Sequence, residues 1–376
     1  MKILNTCLSK SWGGMEMYAL HTVRQLSGRG CEAELLCYPD SRLQQEASRS
    51  GITCHLLKVE KHPSPMRIFE LRNILSNNGY DLIHSEASGD LWSIVPALKL
   101  SGLNIPLLLT KHVGSYISKK DFLHRWIYNR VDLALAISSV IKKNLLDTTP
   151  LTGERIQLLH DAIDTEKFNP SKTDNKKVRK EFNIKDDEML IGITSRFSSG
   201  KGHEEFLRAA KELSGSFHNL KFLIVGEPSR DEDGYAAGIK ELAAELGIND
   251  KVIFTGYRND LPEILAALNL FVFPSHAEAF GLALVEAMSM ELPSVCSDSD
   301  GVLDIAIDGE TSLLFQKKNY SDLTDKIRRL INDPEKRRSL GLNARKRVLE
   351  NFDFNHFTDR MIAIFENQIV RSALKK

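Results

Sequence analysis

The sequence predicts an α/β protein made of two doubly wound parallel sheets in tandem. Three observations predict it. Short apolar strands alternate with longer helical segments along the chain. The alternation restarts after a charged stretch near residue 170. The glycines, cations and paired carboxylates suited to chemistry fall in loops just after strands, where open α/β sheets bind ligands.

The elements follow in order. Lys2–Thr6 is a strand. Glu16–Gly28 is a helix, because Met17, Leu20, Val23 and Leu26 recur at helical spacing. Strand Glu32–Cys37, a helix near Leu43–Ser50 and strand Thr53–Leu57 follow. Helix Pro65–Asn77, strand Leu82–His84, helix Asp90–Leu100 and strand Pro106–Thr110 complete the first set. Asn169–Asp187 is polar, with Pro170, Lys176, Lys177 and Lys180, and reads as the inter-domain connection. The second set runs as strand Leu190–Thr194, helix Glu204–Leu213, strand Lys221–Val225, helix Tyr235–Leu246 and strand Val252–Phe254. Helix Leu261–Leu268, strand Leu270–Pro274, helix Leu282–Ser289, strand Pro293–Cys296 and a strand near Ser312–Phe315 follow. Helices Ser321–Ile331 and Pro334–Glu350 precede a last amphipathic segment, Asn355–Ala373, whose Phe357, Met361, Ile362, Ile364 and Phe365 suit packing on a core.

Composition narrows the function. The chain has 376 residues, enough for two or three domains. Lys plus Arg and Asp plus Glu both total 50, so no basic field marks a nucleic-acid binder. The cysteines are Cys7, Cys31, Cys37, Cys54 and Cys296. Their odd number and the lack of any Cys-x-x-Cys disfavour a disulfide scaffold or thiolate zinc cage. The most apolar long stretch, Leu91–Leu109, is broken by Pro96, Lys99, Gly102, Asn104 and Pro106, so no membrane span is expected. The short apolar start is no signal peptide, and a cytoplasmic protein is expected.

Three loops carry the chemistry. Trp12-Gly13-Gly14-Met15-Glu16 follows the first strand and opens the first helix. Its glycines let a backbone approach a ligand, and a helix start suits an anion. It is not a G-x-G-x-x-G fingerprint, so a standard NAD site is disfavoured. A tight turn and nothing more is the alternative.

Ser195–His203 follows the first strand of the second half. Arg196 as a planar fork and Lys201 as a point charge could hold a diphosphate. The spacing is not that of a P-loop. The third loop, Pro274–Ala287, holds Glu278 before a helix start and Glu286 on its first turns. The N–H groups of Phe280, Gly281 and Leu282 are candidate phosphate donors. A carboxylate can accept both hydrogen bonds of a ribose diol, which suits Glu286 and leaves Glu278 for sugar hydroxyls.

Glu278 and Glu286 form an E-x7-E pair around Phe280-Gly281-Leu282. With Gly13-Gly14 and Arg196…Lys201 in this order, the chain resembles family 4 glycosyltransferases of the GT-B fold over essentially its whole length. The resemblance implies two Rossmann-like domains facing across a cleft: an acceptor domain, 1–168, and a nucleotide-sugar donor domain, 169–353. A C-terminal helix, 354–376, crosses back to the first. It implies transfer of a sugar from a nucleotide-diphosphate sugar to a hydroxyl acceptor with retention, without cofactor or metal. Such members act in surface polysaccharide or lipopolysaccharide assembly.

The resemblance also implies roles. Arg196 and Lys201 hold the diphosphate and stabilise the leaving group. Glu286 meets the ribose, Glu278 the donor sugar, and Gly14 lies against the donor phosphate. Tyr257 and Arg258, in Gly256-Tyr257-Arg258, belong to the base-binding turn. His112 contacts the donor sugar near the reaction centre. Val113 stands where the family often has Asp, and Asp161-Ala162 where it usually has Asn-Gly or Pro-Gly.

The implied partners are a nucleotide-diphosphate sugar and a glycan or glycolipid acceptor, with no nucleic acid. Residues 111–143 hold seven basic residues against two acidic, interleaved with Tyr116, Phe122, Trp126 and Tyr128. That pattern fits weak peripheral contact of the first domain with an anionic membrane surface at its inner face. An ordinary solvated helix is the alternative. Two other functions fit the same fold: a nucleotide-sugar epimerase or phosphorylase, and a non-catalytic nucleotide-sugar-binding protein.

Overall fold

The computed structural model of the protein describes residues 1–59, 64–228 and 232–374. The chain divides into two compact units: Met1–His160 with Asn355–Lys376, and Asp161–Phe354.

The first unit is built on seven parallel strands: β1 (Lys2–Cys7), β2 (Glu32–Cys37), β3 (Cys54–Leu56), β4 (Leu82–Ser85), β5 (Leu107–Lys111), β6 (Leu133–Ala136) and β7 (Ile156–Leu158). Their order is β3-β2-β1-β4-β5-β6-β7. The central strands are buried on both faces, as a sheet covered by helices requires. β6 and β7 are additions to the sequence reading. Leu-Ala-Leu-Ala and Ile-Gln-Leu are too short to stand out as apolar runs.

The last helix, Phe354–Ala373, belongs to this unit from Asn355 onward. Phe357 and Phe365 are buried in it, Phe357 against Tyr18 and Phe365 against His84. Residues 375–376 of the expected helix lie outside the described residues.

The second unit has six parallel strands: β8 (Met189–Thr194), β9 (Leu220–Val225), β10 (Val252–Gly256), β11 (Leu270–Phe273), β12 (Ser294–Ser297) and β13 (Leu313–Phe315). Their order is β10-β9-β8-β11-β12-β13. Phe206, Phe222, Leu270, Val272 and Phe315 lie in its core.

Two boundaries differ from the sequence reading. Asp161–Phe168 belongs to the second unit, not the first: Ile163 bridges to Asp353, and the Phe168 carbonyl accepts from Ser289 Oγ at 2.7 Å and Arg345 at 3.1 Å. Asn169–Asp187 is not a free connection. It holds the helix Lys176–Glu181, with Val178 fully buried. Arg179 there donates to the carbonyls of Ala267, Lys185 and Glu188.

Both sheets reverse direction of winding at one point: between β1 and β4 in the first, between β8 and β11 in the second. Loops leaving the carboxyl ends of those strands part there and leave a crevice.

Candidate active site

In the second unit the two loops of interest flank that crevice. Ser195–Gly202 leaves β8, and Pro274–Gly281 leaves β11. Lys201 Nζ lies 2.6 Å from Glu278 Oε1. Both side chains are largely but not wholly shielded, at 22% and 15% exposure, so the pair keeps access to solvent. Further bonds tie the loops together. His276 N donates to the Gly200 carbonyl at 2.8 Å, and His276 Nε2 meets Glu205 Oε1 at 2.9 Å. Ser297 and Ser299 donate from β12 and its loop to the Ser275 carbonyl.

Local sequence explains the shape. Gly202 caps the helix His203–Ser216 with φ +78°. A Cβ there would sit 2.4 Å from the Pro274 carbonyl oxygen, so only glycine allows the loops to touch. Phe197 is buried and stacks on His203 at 4.7 Å. Burial pushes His203 down to about 4, which leaves its ring neutral under the adjacent ammonium of Lys201. Arg196 is exposed on the same loop.

Gly281, at φ +126°, opens the helix Leu282–Ser289. Its first amides, with those of Phe280 and Leu282, lie where a helix has no internal acceptors and carries a partial positive charge. Phe280 is buried against Phe352. Gly301 N donates to the Glu278 carbonyl at 3.1 Å. Glu286 stands one turn into the helix. Burial pushes its carboxyl up to about 7, and Lys167 draws it only partly back. That carboxyl group makes no hydrogen bond or ion pair among the described residues.

Tyr257 and Arg258 are placed differently from each other. Tyr257 is 68% exposed after β10. Arg258 is committed to Glu181, at 2.5 and 2.9 Å, and to Asp260, at 2.8 and 2.7 Å. Its guanidinium therefore buttresses the turn.

In the first unit, Gly13 and Gly14 open the helix Gly14–Gly28. Gly13 N donates to Glu16 Oε2 at 2.8 Å. A Cβ on Gly14 would meet nothing within 4 Å, so the space beside it is open. Asp90, held by Leu8 N at 3.0 Å, anchors the start of this loop, and burial raises it to about 7.

His112 follows β5. Its Nε2 lies 2.9 Å from Glu86 Oε2, and its ring meets Tyr18 edge to face at 4.8 Å. Glu86 is fully buried and also accepts from Asn5 Nδ2 at 3.1 Å. Burial opposes its charge, but His84 and the hydrogen bonds from His112 and Asn5 outweigh it and hold its pKa below the ordinary value. An ionised carboxylate only accepts, so Nε2 of His112 carries the proton and its tautomer is set. His84 completes the network, with Thr110 Oγ1 at 2.7 Å from its Nε2. Burial keeps its pKa low.

Sequence reasoning missed Glu86, Asn5 and the Glu205–His276 pair. Glu86 carried a signal: a carboxylate immediately beyond the buried strand that ends in Ile83-His84-Ser85 is costly without partners.

The second unit thus places a lysine, a helix N-terminus and two glutamates in and just after loops at the carboxyl end of a parallel sheet, an arrangement suited to an anionic ligand. Residues 12–167 match the Glycosyltransferase Family 4 domain, and residues 174–347 match Glycosyl transferases group 1. The chain belongs to the family 4 glycosyltransferases of the GT-B fold. It is 30% identical over 227 residues to the capsular polysaccharide biosynthesis glycosyltransferase CapM of Staphylococcus aureus, covering 58% of this chain and 57% of that relative. It is 25% identical over 403 residues to D-inositol 3-phosphate glycosyltransferase of Stackebrandtia nassauensis, covering 96% and 88%. The fold matches a glycosyltransferase from Rickettsia africae with TM-score 0.89 and 21% identity over 98% of both chains. It also matches Anabaena Alr3699/HepE, solved with UDP and glucose, with TM-score 0.83 and 21% identity over 97% and 99%.

Proposed function

We propose that the protein transfers a sugar from a nucleoside-diphosphate sugar to a hydroxyl acceptor with retention, without a metal, in the assembly of a surface polysaccharide or lipopolysaccharide. The observation that carries this reading is the Lys201–Glu278 pair at the β8/β11 crevice beside a helix N-terminus. A relative named for capsular polysaccharide biosynthesis supports the pathway class.

The chemistry follows from charge. Departure of a nucleoside diphosphate leaves negative charge on the terminal phosphate. Lys201, Arg196 and the first amides of helix Leu282–Ser289 supply fixed positive potential there. Glu278 holds Lys201 in place and offers its other oxygen to sugar hydroxyls. Glu286 accepts the ribose diol. The resemblance assigns His112 to the transferred sugar, and Glu86 fixes the orientation of its ring. No side chain is assigned as a covalent nucleophile. The acceptor oxygen forms its bond to the anomeric carbon on the face that the phosphate leaves, and the departing phosphate oxygen takes the acceptor proton.

Donor stabilisation tests this directly. Among UDP-, GDP-, ADP- and TDP-sugars, one should raise the melting temperature equally with and without EDTA. At 100-fold over Kd the gain is about 2.7 kcal/mol. A response that EDTA abolishes would sink the metal-free reading, and a flat panel would sink the donor reading.

Glu286 gives a pH signature. The ionised carboxylate accepts both ribose hydrogen bonds; the protonated one accepts fewer. Donor affinity should therefore rise as pH climbs through about 7 and fall up to about tenfold per unit below it. Stability runs the other way. Because the folded pKa is raised above 4.5, the folded state holds the extra proton, and ionising Glu286 between about 4.5 and 7 costs stability as pH rises. Glu286→Gln should flatten both profiles in calorimetric titrations, and an unchanged affinity profile would remove the assignment.

A further inference from the structure

Lys111 ends β5 one residue before His112, and the proposed transfer does not use it. It is only 9% exposed. Its Nζ has a single hydrogen-bond partner among the described residues, Ser88 Oγ at 3.2 Å in the loop after β4. No carboxylate among the described residues forms an ion pair with it. Burial pushes it down to about 8, and the charge of another cation, Lys119, pushes in the same direction. Lys119 is itself lowered by burial. The Tyr128 hydroxyl lies beside Ser88. It is buried, and Ser88 is the one group that bears on it among the described residues, outside good hydrogen-bond geometry.

Buried polar groups are normally satisfied, and a buried ammonium without a counter-charge is costly. Lys111, Ser88 and Tyr128 stand together here, Lys119 acts on Lys111 through its charge, and among the described residues no carboxylate pairs with either ammonium. They lie at the carboxyl end of the first unit's sheet, next in sequence to His112. Ser88 is half-buried, so the cluster opens to solvent on that side.

We propose that Lys111, Lys119, Ser88 and Tyr128 bind a phosphate group carried by the sugar acceptor, an inference that rests on the transferase reading for the word acceptor. Lysines meet the phosphate charge and the hydroxyls donate to its remaining oxygens. The phosphate can come from a soluble phosphorylated acceptor or from a lipid headgroup. The chain just beyond Lys111 fits the second source: Val113, Ile117, Phe122 and Leu123 are 63%, 65%, 80% and 58% exposed, and Tyr116 is fully so.

The test uses the full chain carrying Lys201→Ala, which weakens the diphosphate site of the second unit; any phosphate that Arg196 and the helix amides still hold there stabilises Lys111→Met and its parent alike. Inorganic phosphate, against chloride at equal ionic strength, should raise the melting temperature in a saturable way. Lys111→Met should melt higher than its parent without phosphate, because an unpaired buried cation is gone. It should also respond to phosphate about tenfold or more weakly, the loss of one charge-assisted hydrogen bond. Tyr128→Phe, which removes only a hydroxyl, should weaken the response too. No phosphate response, or an equal one in Lys111→Met, overturns the site. If Lys111→Met fails to fold, Tyr128→Phe alone decides.

Phosphatidylcholine vesicles with and without phosphatidylglycerol then separate the sources. Binding to the anionic vesicles only, lost in Lys111→Met and Phe122→Ser, assigns a lipid phosphate. Stabilisation by glycerol 3-phosphate without vesicle binding assigns a soluble one. These readouts need no turnover, so their failure leaves the transferase reading standing. A flat donor panel would equally leave the phosphate site intact.

Discussion

Lys201→Ala should lower kcat by about 10²–10³-fold, the usual loss when one preorganised charge is removed from a developing anion. The reasoning is geometric. Lys201 is held by Glu278 at 2.6 Å on a loop that the Gly200–His276 hydrogen bond fixes. Its charge is thus in place before the donor arrives and costs no reorganisation at the moment of bond breaking. The same substitution leaves the largely shielded Glu278 without its partner, which should cost about 1–3 kcal/mol of stability. Adding Glu278→Gln should restore the melting temperature without restoring turnover. Recovery of turnover in the double variant would show that Lys201 serves only to neutralise Glu278. Single-turnover rates and thermal melts on the same preparations separate the two effects.

Gly202→Ala should be the most damaging small substitution in the second unit. The residue sits at φ +78° with the Pro274 carbonyl where a Cβ would go. The left-handed backbone alone costs about 1–2 kcal/mol. The clash is with backbone, so no rotamer relieves it. A loss of at least ~2 kcal/mol corresponds to roughly 4–8 °C in a domain of this size. Relief requires loop 195–202 to lift from loop 274–281, which separates Lys201 from Glu278. Donor binding should therefore weaken by tenfold or more even in the fraction that folds. A variant with normal melting and normal donor affinity would contradict this geometry.

Much of this architecture is readable in the amino-acid order. Strands such as Leu107–Leu109 and Leu270–Phe273 are apolar because helices cover both sheet faces, and that burial writes itself into sequence. Loops Gly13-Gly14, Arg196…Lys201 and Glu278…Glu286 are legible because glycine and charge stand out against those runs. What is not legible depends on tertiary partners. Glu86 reads as one more surface acid until His112 and Asn5 converge on it. Lys111 reads as part of a solvated basic stretch until burial is seen. Arg258 reads as a ligand contact, yet Glu181, from the charged stretch that reads as a linker, occupies its guanidinium. Leu133–Ala136 is a strand only because β5 and β7 pair with it on either side.

The measurement that tests the central claim most directly is the anomeric configuration of the product. The protein, the donor that stabilises it, an acceptor and EDTA would be combined, and the new linkage read by proton NMR as it forms. The account predicts transfer in the presence of chelator, with the donor's anomeric configuration kept. An inverted linkage, or release of nucleoside diphosphate only when a divalent metal is restored, would contradict it.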